Sequence, residues 1–174
     1  MITIPKPNPG EHAPYAIKYI DLVDHAKPII QQLEENLKST ISLLKSYTEE
    51  QLSTPCADGE WTIKEILNHN MDTERVFCYR ALRFSRKDTT ELAGFEQDDY
   101  VANSKVNECD IESLLEEYAA MRHATITFFK NLPEETLTCI GISNGKPLSV
   151  RAAAWMIVGH EIHHINSINE NYPR

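Results

Sequence analysis

The residues best suited to chemistry are histidines near the C-terminal end, in the segment Gly159-His160-Glu161-Ile162-His163-His164. At about 100° per helical residue, His160 and His164 lie one turn apart on the side that carries the apolar residues, whereas His163 points elsewhere. Two imidazoles at positions i and i+4 can bind one metal ion, as they do in helical zinc sites. A pair alone makes a weak site, so a third ligand is needed.

His69, in an earlier helical segment, is the candidate third ligand. It shares a helix side with Ile66 and Thr73, which predicts that it faces the interior. If that helix is a neighbour of the one with His160 and His164, three nitrogens form a site with an open position for water or substrate, as in catalytic zinc sites. The alternative is that His69 is a hydrogen-bonded core histidine and that the other two are partly exposed.

Glu161 also falls among apolar residues on its helix, and a buried carboxylate needs a partner. It could accept a hydrogen bond from the second ring nitrogen of a ligand histidine, or act as a general base, which makes it the candidate catalytic residue. The alternative is an ion pair with Arg75 or Arg122 across the fold. Asp72, Tyr118 and Arg122 are further candidates for the same site.

Four long segments with helical apolar spacing must position these side chains. Thr62 followed by Glu65 is a capping box, and Asp110 and Ser149 are typical N-caps. The four predicted helices cover approximately residues 28–44, 62–84, 110–132 and 149–169. This pattern, with almost no alternating strand pattern, predicts an all-α fold, a four-helix bundle.

The connections between these helices differ in length. A long crossover, from about Asp88 to Glu108, would let the second and third helices run parallel, because a short loop forces neighbours to be antiparallel. The stretch from Thr138 to Leu148, with Asn144-Gly145 as a turn, could form a small hairpin at most. A solvated, salt-bridged face is expected on the second helix at Arg80, Arg83 and Arg86.

Composition limits the function classes. With 17 Lys+Arg against 26 Asp+Glu the formal charge is 17 − 26 = −9, which disfavours nucleic acid and anionic membrane surfaces as partners. The 174 residues suit one domain, residues 1–174. No export signal or membrane span is visible, and the four cysteines lack metal or redox spacing, so a cytoplasmic location with reduced thiols is expected.

Several motifs together resemble the DinB-like superfamily. They are the stretch from Trp61 to Arg75, then Tyr79-Arg80-Ala81-Leu82-Arg83-Phe84, Gly94-Phe95-Glu96-Gln97-Asp98-Asp99-Tyr100, Val150-Arg151-Ala152 and the histidine segment. The similarity extends over nearly the whole chain, including the proline-rich start with Tyr19-Ile20. In one departure, Glu60 stands where close relatives commonly carry Lys, which leaves the histidine motif intact.

The resemblance implies a four-helix bundle with up-down-down-up connectivity, often a homodimer. It also implies a divalent ion held by one histidine of the second helix and two of the fourth, which correspond to His69, His160 and His164. Relatives include metal-dependent hydrolases and S-transferases that use bacillithiol or a comparable low-molecular-weight thiol.

Three functions follow as hypotheses. The first is a zinc- or nickel-dependent enzyme that acts on a small molecule, either by activating a bacillithiol-like thiol for S-transfer or by activating water for hydrolysis. The second is a non-catalytic, metal-binding stress protein whose surface binds a partner. The third is a metal-free structural bundle, which predicts that His69 lies far from His160.

Overall fold

A computed structural model describes residues 2–173. Helices and one hairpin follow each other in the order α1 (Ile17–Ile20), α2 (Ile29–Leu44), α3 (Glu49–Leu52), α4 (Ile63–Ser85), α5 (Gln97–Ser104), α6 (Ile111–Lys130), β1 (Ile140–Ser143), β2 (Lys146–Ser149) and α7 (Val150–Asn171). The long helices α2, α4, α6 and α7 form the predicted four-helix bundle. The helices of residues 2–173 include none with the length and apolar character needed to cross a bilayer.

The long helices begin where the capping residues indicate. The Thr62 hydroxyl accepts from the backbone N–H of Glu65 at 3.1 Å, and the Glu65 carboxylate accepts from the backbone N–H of Thr62 at 2.7 Å. The side chains of Asp110 and Ser149 each accept from the backbone N–H three residues further on. These bonds satisfy N–H groups that have no partner within the helix, so they confirm the starts of α4, α6 and α7.

Contacts between helix ends establish the up-down-down-up connectivity. The hydroxyl of Thr62, before α4, bonds the side chain of Asn107, before α6, at 2.8 Å, so α4 and α6 run parallel. The hydroxyl of Tyr47, after α2, donates to the carbonyl of Tyr172, after α7, at 3.0 Å, so α2 and α7 run parallel. The Tyr172 hydroxyl also donates to the carbonyl of Trp61, which makes α7 antiparallel to α4.

The crossover between α4 and α6 is more ordered than the sequence predicted, because it contains α5. Its first part pairs with the hairpin: the backbone N–H of Leu92 donates to the carbonyl of Ile142 at 3.0 Å, and that of Asn144 donates to the carbonyl of Leu92 at 2.9 Å. The hairpin turn at Asn144-Gly145 has φ angles of 50° and 68°, the left-handed region that these two residue types tolerate best. The hairpin therefore anchors the crossover beside the bundle.

The bundle interior has two apolar cores, one toward each end, with a polar layer between them. One core includes Phe84, Phe129 and the first half of α7, and the other includes Ile63, Met71 and Ile168. The layer between them contains the following buried polar residues: Thr40, His69, Thr73, Glu74, Arg122, His160 and Glu161. The candidate chemistry of this protein thus lies at the middle of the bundle.

The N-terminal segment crosses α7 next to this layer. The carbonyl oxygen of Tyr19 lies so close to Gly159 that a Cβ atom there would be 2.1 Å from it. The Tyr19 ring in turn lies 5.3 Å, centroid to centroid, from the ring of His160. A buried ion pair between Glu11 and Arg151 fastens the same segment to the start of α7. Glycine at position 159 therefore lets α1 reach the histidines.

We expect Gly159→Ala to lower the free energy of unfolding by about 1–3 kcal/mol, because the new methyl group forces the backbone of Tyr19 away from α7. In a helix without this contact the same change would stabilise by about 1 kcal/mol. Urea denaturation measures the difference. Asn166→Ala, on the exposed side of α7, is the control and should change stability by less than about 0.5 kcal/mol. Unchanged stability of Gly159→Ala would contradict the close contact.

Candidate metal centre

Three histidines converge between α4 and α7. The Nε2 atoms of His69 and His160 are 3.1 Å apart, and those of His164 and His160 are 3.2 Å apart. One ring nitrogen from each residue lies within 4.8 Å of those of the other two. His69 and His160 are buried and His164 is half-buried, whereas His163 is exposed. The structure therefore brings together the three histidines that the sequence selected, and the hypothesis that His69 lies far from His160 is wrong.

The spacing of these nitrogens fits a shared metal ion. Two nitrogens each about 2.0–2.1 Å from a tetrahedral zinc ion are about 3.3 Å apart, close to the observed contacts. Hydrogen bonds explain the arrangement less well, because the Nε2 atom of neutral His160 offers either one proton or one lone pair, and two neighbouring nitrogens compete for it. Imidazole sets of this kind suit zinc, nickel, copper or iron.

The surroundings keep these imidazoles neutral, which is the form that binds metals. Burial lowers the pKa of His69 to about 4 and that of His164 to about 3. Burial, followed by repulsion from the other histidines, also lowers the pKa of His160 well below its usual value. All three rings can therefore offer a lone pair at neutral pH.

Aromatic rings hold the three imidazoles in place. The Trp61 ring lies 4.9 Å from that of His69 and is nearly parallel to that of His164, with 24° between the ring planes at 6.5 Å. The Tyr19 ring packs against that of His160. Trp61 immediately precedes the capping box of α4, so the start of this helix also fixes a wall of the centre.

Two openings lead to the histidines. A cleft of about 580 Å³ is lined by Trp61 and His164 and reaches the C-terminal end of α7. A cavity of about 370 Å³, which we call the α4 cavity, is lined by His69 and His160, by residues 94–98 of the crossover and by the hairpin turn. Asp98 lines both openings. A ligand could thus approach the centre from either side.

Glu161 is buried as predicted, and its partners lie on other helices. Its Oε1 atom accepts hydrogen bonds from the hydroxyls of Thr40, at 2.9 Å, and Tyr118. Its Oε2 atom lies 2.9 Å from Nη2 of Arg122, an ion pair whose geometry falls short of a hydrogen bond. Within residues 2–173 no hydrogen bond joins Glu161 to a histidine. These contacts match the cross-bundle alternative, with Arg122 and not Arg75 as the partner.

Arg122 connects all four long helices. On α4, Glu74 accepts three hydrogen bonds from the guanidinium, between 2.7 and 3.1 Å. On α2, the carbonyl of Leu33 accepts a fourth at 3.2 Å. Burial alone would lower the pKa of Arg122, but Glu161 and Glu74 raise it above its usual value, so the charge is firmly retained. Tyr118, on α6, contacts the same cluster through Glu161.

Asp72 and Arg80 do not lie where the sequence predicted. Asp72 lies in a separate cleft beside Asn68 and Arg75, so the structure does not place it at the centre. The solvated arginine face is wrong at Arg80, which is 6% exposed and lines the α4 cavity with His69. Helical spacing could have identified Arg80 as a cavity residue. The eleven residues from His69 to Arg80 turn the helix through 1100°, so the two side chains point in directions only about 20° apart.

The other two arginines of that face do lie near solvent. Arg83 pairs with Asp88, and Arg86 is exposed. Sequence reasoning also missed Tyr15 and Asn144 as cavity residues, since loops carry no periodic signal that could have identified them.

The structure is thus a helical bundle in which three histidine nitrogens, between two of the helices, could hold one metal ion. The family model described as "DinB superfamily" matches residues 32–168, and the chain belongs to this superfamily.

Two relatives illustrate the similarity. A protein of Bacillus pumilus (strain SAFR-032) named "Putative metal-dependent hydrolase" is 22% identical over 143 residues, which cover 81% of each chain. The solved structure of YfiT from Bacillus subtilis, described as "a probable metal-dependent hydrolase with an unusual four-helix bundle topology", superposes with a TM-score of 0.70 at 18% identity. The superposition covers 95% of this chain and 90% of that one, and it confirms the fold.

We expect His160→Ala to abolish stoichiometric metal binding, because His160 is the histidine in contact with both others. Elemental analysis of purified, metal-loaded protein should give about one ion per wild-type chain and almost none for the variant. His163→Ala, a change at the exposed neighbour, should retain the wild-type content. A His160→Ala protein with wild-type metal content would rule out the three-histidine site.

Arg122→Met should lower the free energy of unfolding by about 3–5 kcal/mol, because it leaves the carboxylates of Glu74 and Glu161 buried without their cation. Arg75→Met is the matched control: its ion pairs with Asp72 and Glu117 lie at the surface and contribute at most about 1 kcal/mol. Equal effects of the two changes in urea denaturation would contradict the central role of Arg122.

Proposed function

We propose that this protein is a divalent-metal-dependent enzyme that activates a small nucleophile at the centre formed by His69, His160 and His164. The convergence of three Nε2 atoms where two openings meet is the observation that carries the proposal. Three protein ligands leave a position for a reactant, which is typical of catalytic and not of closed structural metal sites.

The bound ion would supply Lewis acidity, which lowers the pKa of a nucleophile and polarises an electrophile. The protein would supply the three neutral imidazoles and the rings of Trp61 and Tyr19 that orient them. Asp98 is the carboxylate that lines both openings, and its charge partly opposes the lowering of the pKa of His69 by burial. We assign to Asp98 the role of accepting the proton that the nucleophile releases.

The sequence pattern predicts Glu161 as the catalytic residue, and that role stays a prediction. Its contacts with Thr40, Tyr118 and Arg122 favour a positioning role, in which it holds α7 so that His160 faces His69. In that role Glu161→Gln would lower metal affinity and stability together. As a general base, Glu161 would affect turnover at full metal content.

Two nucleophiles remain in the proposal. Thiol S-transfer, with bacillithiol or a similar thiol as cosubstrate, is supported by the resemblance of the sequence motifs. Hydrolysis is supported by the descriptions of the B. pumilus and B. subtilis relatives. Zinc or nickel as the ion, one domain over residues 1–174, a homodimer and a cytoplasmic location belong to the same proposal and rest on the sequence.

A screen of metal-loaded protein separates these possibilities. Acceleration of thiol consumption in the presence of an electrophilic probe would support S-transfer, and release of acid from an ester or amide panel would support hydrolysis. Asp98→Asn should lower kcat by about 10²–10⁴-fold with unchanged metal content, because it removes the proton acceptor. Asp99→Asn, the adjacent exposed residue, is the control. Metal binding without turnover in either screen would favour the non-catalytic stress protein.

A further inference from the structure

One face of α4 carries polar side chains from the metal centre deep into the α4 cavity. His69 and Thr73 are followed on this face by Phe77 and Arg80, and all four line the cavity. The Oγ1 atom of Thr73 is buried and has no hydrogen-bond partner in the described part of the chain. The cavity therefore contains polar groups that the protein leaves available.

Arg80 is the least expected of these groups. Its side chain is 6% exposed, yet among residues 2–173 no ion pair includes it. Arg122 differs in this respect, since that buried guanidinium has the carboxylates of Glu74 and Glu161 beside it. A buried charge without a counterion is costly, and arginine does not escape the cost by losing its proton.

A purely structural role uses little of this side chain. Nη2 of Arg80 donates to the carbonyl of Ala93 at 3.0 Å, and the guanidinium lies 5.5 Å from the ring centroid of Phe77. The guanidinium has five N–H donors, so its one hydrogen bond to the crossover leaves most of them without an acceptor among residues 2–173. Bidentate binding of a carboxylate or phosphate is the interaction that this geometry suits best.

We propose that Arg80 binds a terminal carboxylate or phosphate of the substrate in the α4 cavity and directs the other end of the molecule to the three histidines. The second half of this statement rests on the proposed function. Substrates of this protein would then be elongated, anionic small molecules. Arg80 would determine specificity and would take no part in the bond changes.

The dimensions and charges of the cavity agree with such a ligand. The Cα atoms of residues 69 and 80 are about 16 Å apart along the helix, and long helical side chains lean toward the N-terminus, which brings the guanidinium closer to His69. The carboxylates of Glu96 and Asp98 also line the cavity, but both residues are exposed. They repel an anion at the rim, so an anionic group is favoured only at the Arg80 end.

Direct binding tests the anion site independently of catalysis. Metal-stripped and metal-loaded full-length protein would be titrated with glutarate, with inorganic phosphate and with neutral glutaramide, and the Nε–H signal of Arg80 would be followed by NMR. We expect saturable shifts with glutarate or phosphate and none with glutaramide. The two anions distinguish a carboxylate site from a phosphate site. No saturable shift with either anion would overturn the proposal.

Variants assign the effect to Arg80. Arg80→Gln should weaken anion binding about tenfold or more, because it removes a charge-assisted interaction. Arg86→Gln makes the same change in net charge at an exposed position just after the end of α4 and should leave binding unchanged. Arg80→Lys retains the charge and should bind with intermediate affinity, which keeps the test valid if Arg80→Gln folds poorly. Equal weakening by Arg80→Gln and Arg86→Gln would refute a specific site.

The outcome is separable from that of the proposed function. Arg80→Gln should retain the wild-type metal content. With an active substrate, the variant should raise KM for the anionic form without changing kcat, and it should leave KM for the neutral amide analogue unchanged. Anion binding without stoichiometric metal would refute the metal-dependent function and leave the anion site intact. Metal binding and turnover with no preference for anionic substrates would refute the role of Arg80 alone.

Discussion

The buried charge of Arg122 is the constraint around which the bundle is arranged. Arg122 belongs to α6, and its guanidinium is 1% exposed, so it needs partners inside the protein. It donates hydrogen bonds to acceptors on α2 and α4 and forms an ion pair with Glu161 on α7. These contacts join Arg122 to one position on each neighbouring helix, whereas apolar packing is not directional. The polar layer thus fixes how far each helix slides along its neighbours.

The geometry of the candidate metal centre depends on this alignment of the helices. Glu74, bound to Arg122, is on α4 five residues after His69, and Glu161, also beside Arg122, directly follows His160 on α7. Holding these two carboxylates to one cation therefore also holds the two histidines opposite each other, with their Nε2 atoms 3.1 Å apart. Within the polar layer, the two carboxylates beside Arg122 therefore position the histidines of the candidate centre.

Arg80 and Arg122, which are both buried, have opposite relations to their surroundings. Arg122 is surrounded by carboxylates and serves the fold, whereas Arg80 has a carbonyl and an aromatic ring as partners and faces a cavity. This contrast is the reason to regard the first as structural and the second as a binding group. It also gives the two ends of the α4 cavity different chemistry, with neutral nitrogen donors at one and a cation at the other.

Much of the fold could be predicted because it depends on local signals. Capping residues such as Thr62, Asp110 and Ser149 satisfy N–H groups of their own helices, so the starts of α4, α6 and α7 follow from the sequence. The helices α1, α3 and α5 were missed because they are short and carry too few residues for periodicity to show. The inward direction of His69, His160 and His164 was predictable for the same periodic reason.

The amino-acid sequence by itself determined which residues face inward and where the long helices start, because a helix has a fixed turn and its caps are local. Tertiary structure decided what each inward residue meets. Glu161 contacts Arg122 and not a histidine, and Arg80 lines a cavity and does not face solvent. Both outcomes depend on neighbours that are distant in the sequence. Partners across a bundle are set by register and connectivity, which helical periodicity does not encode.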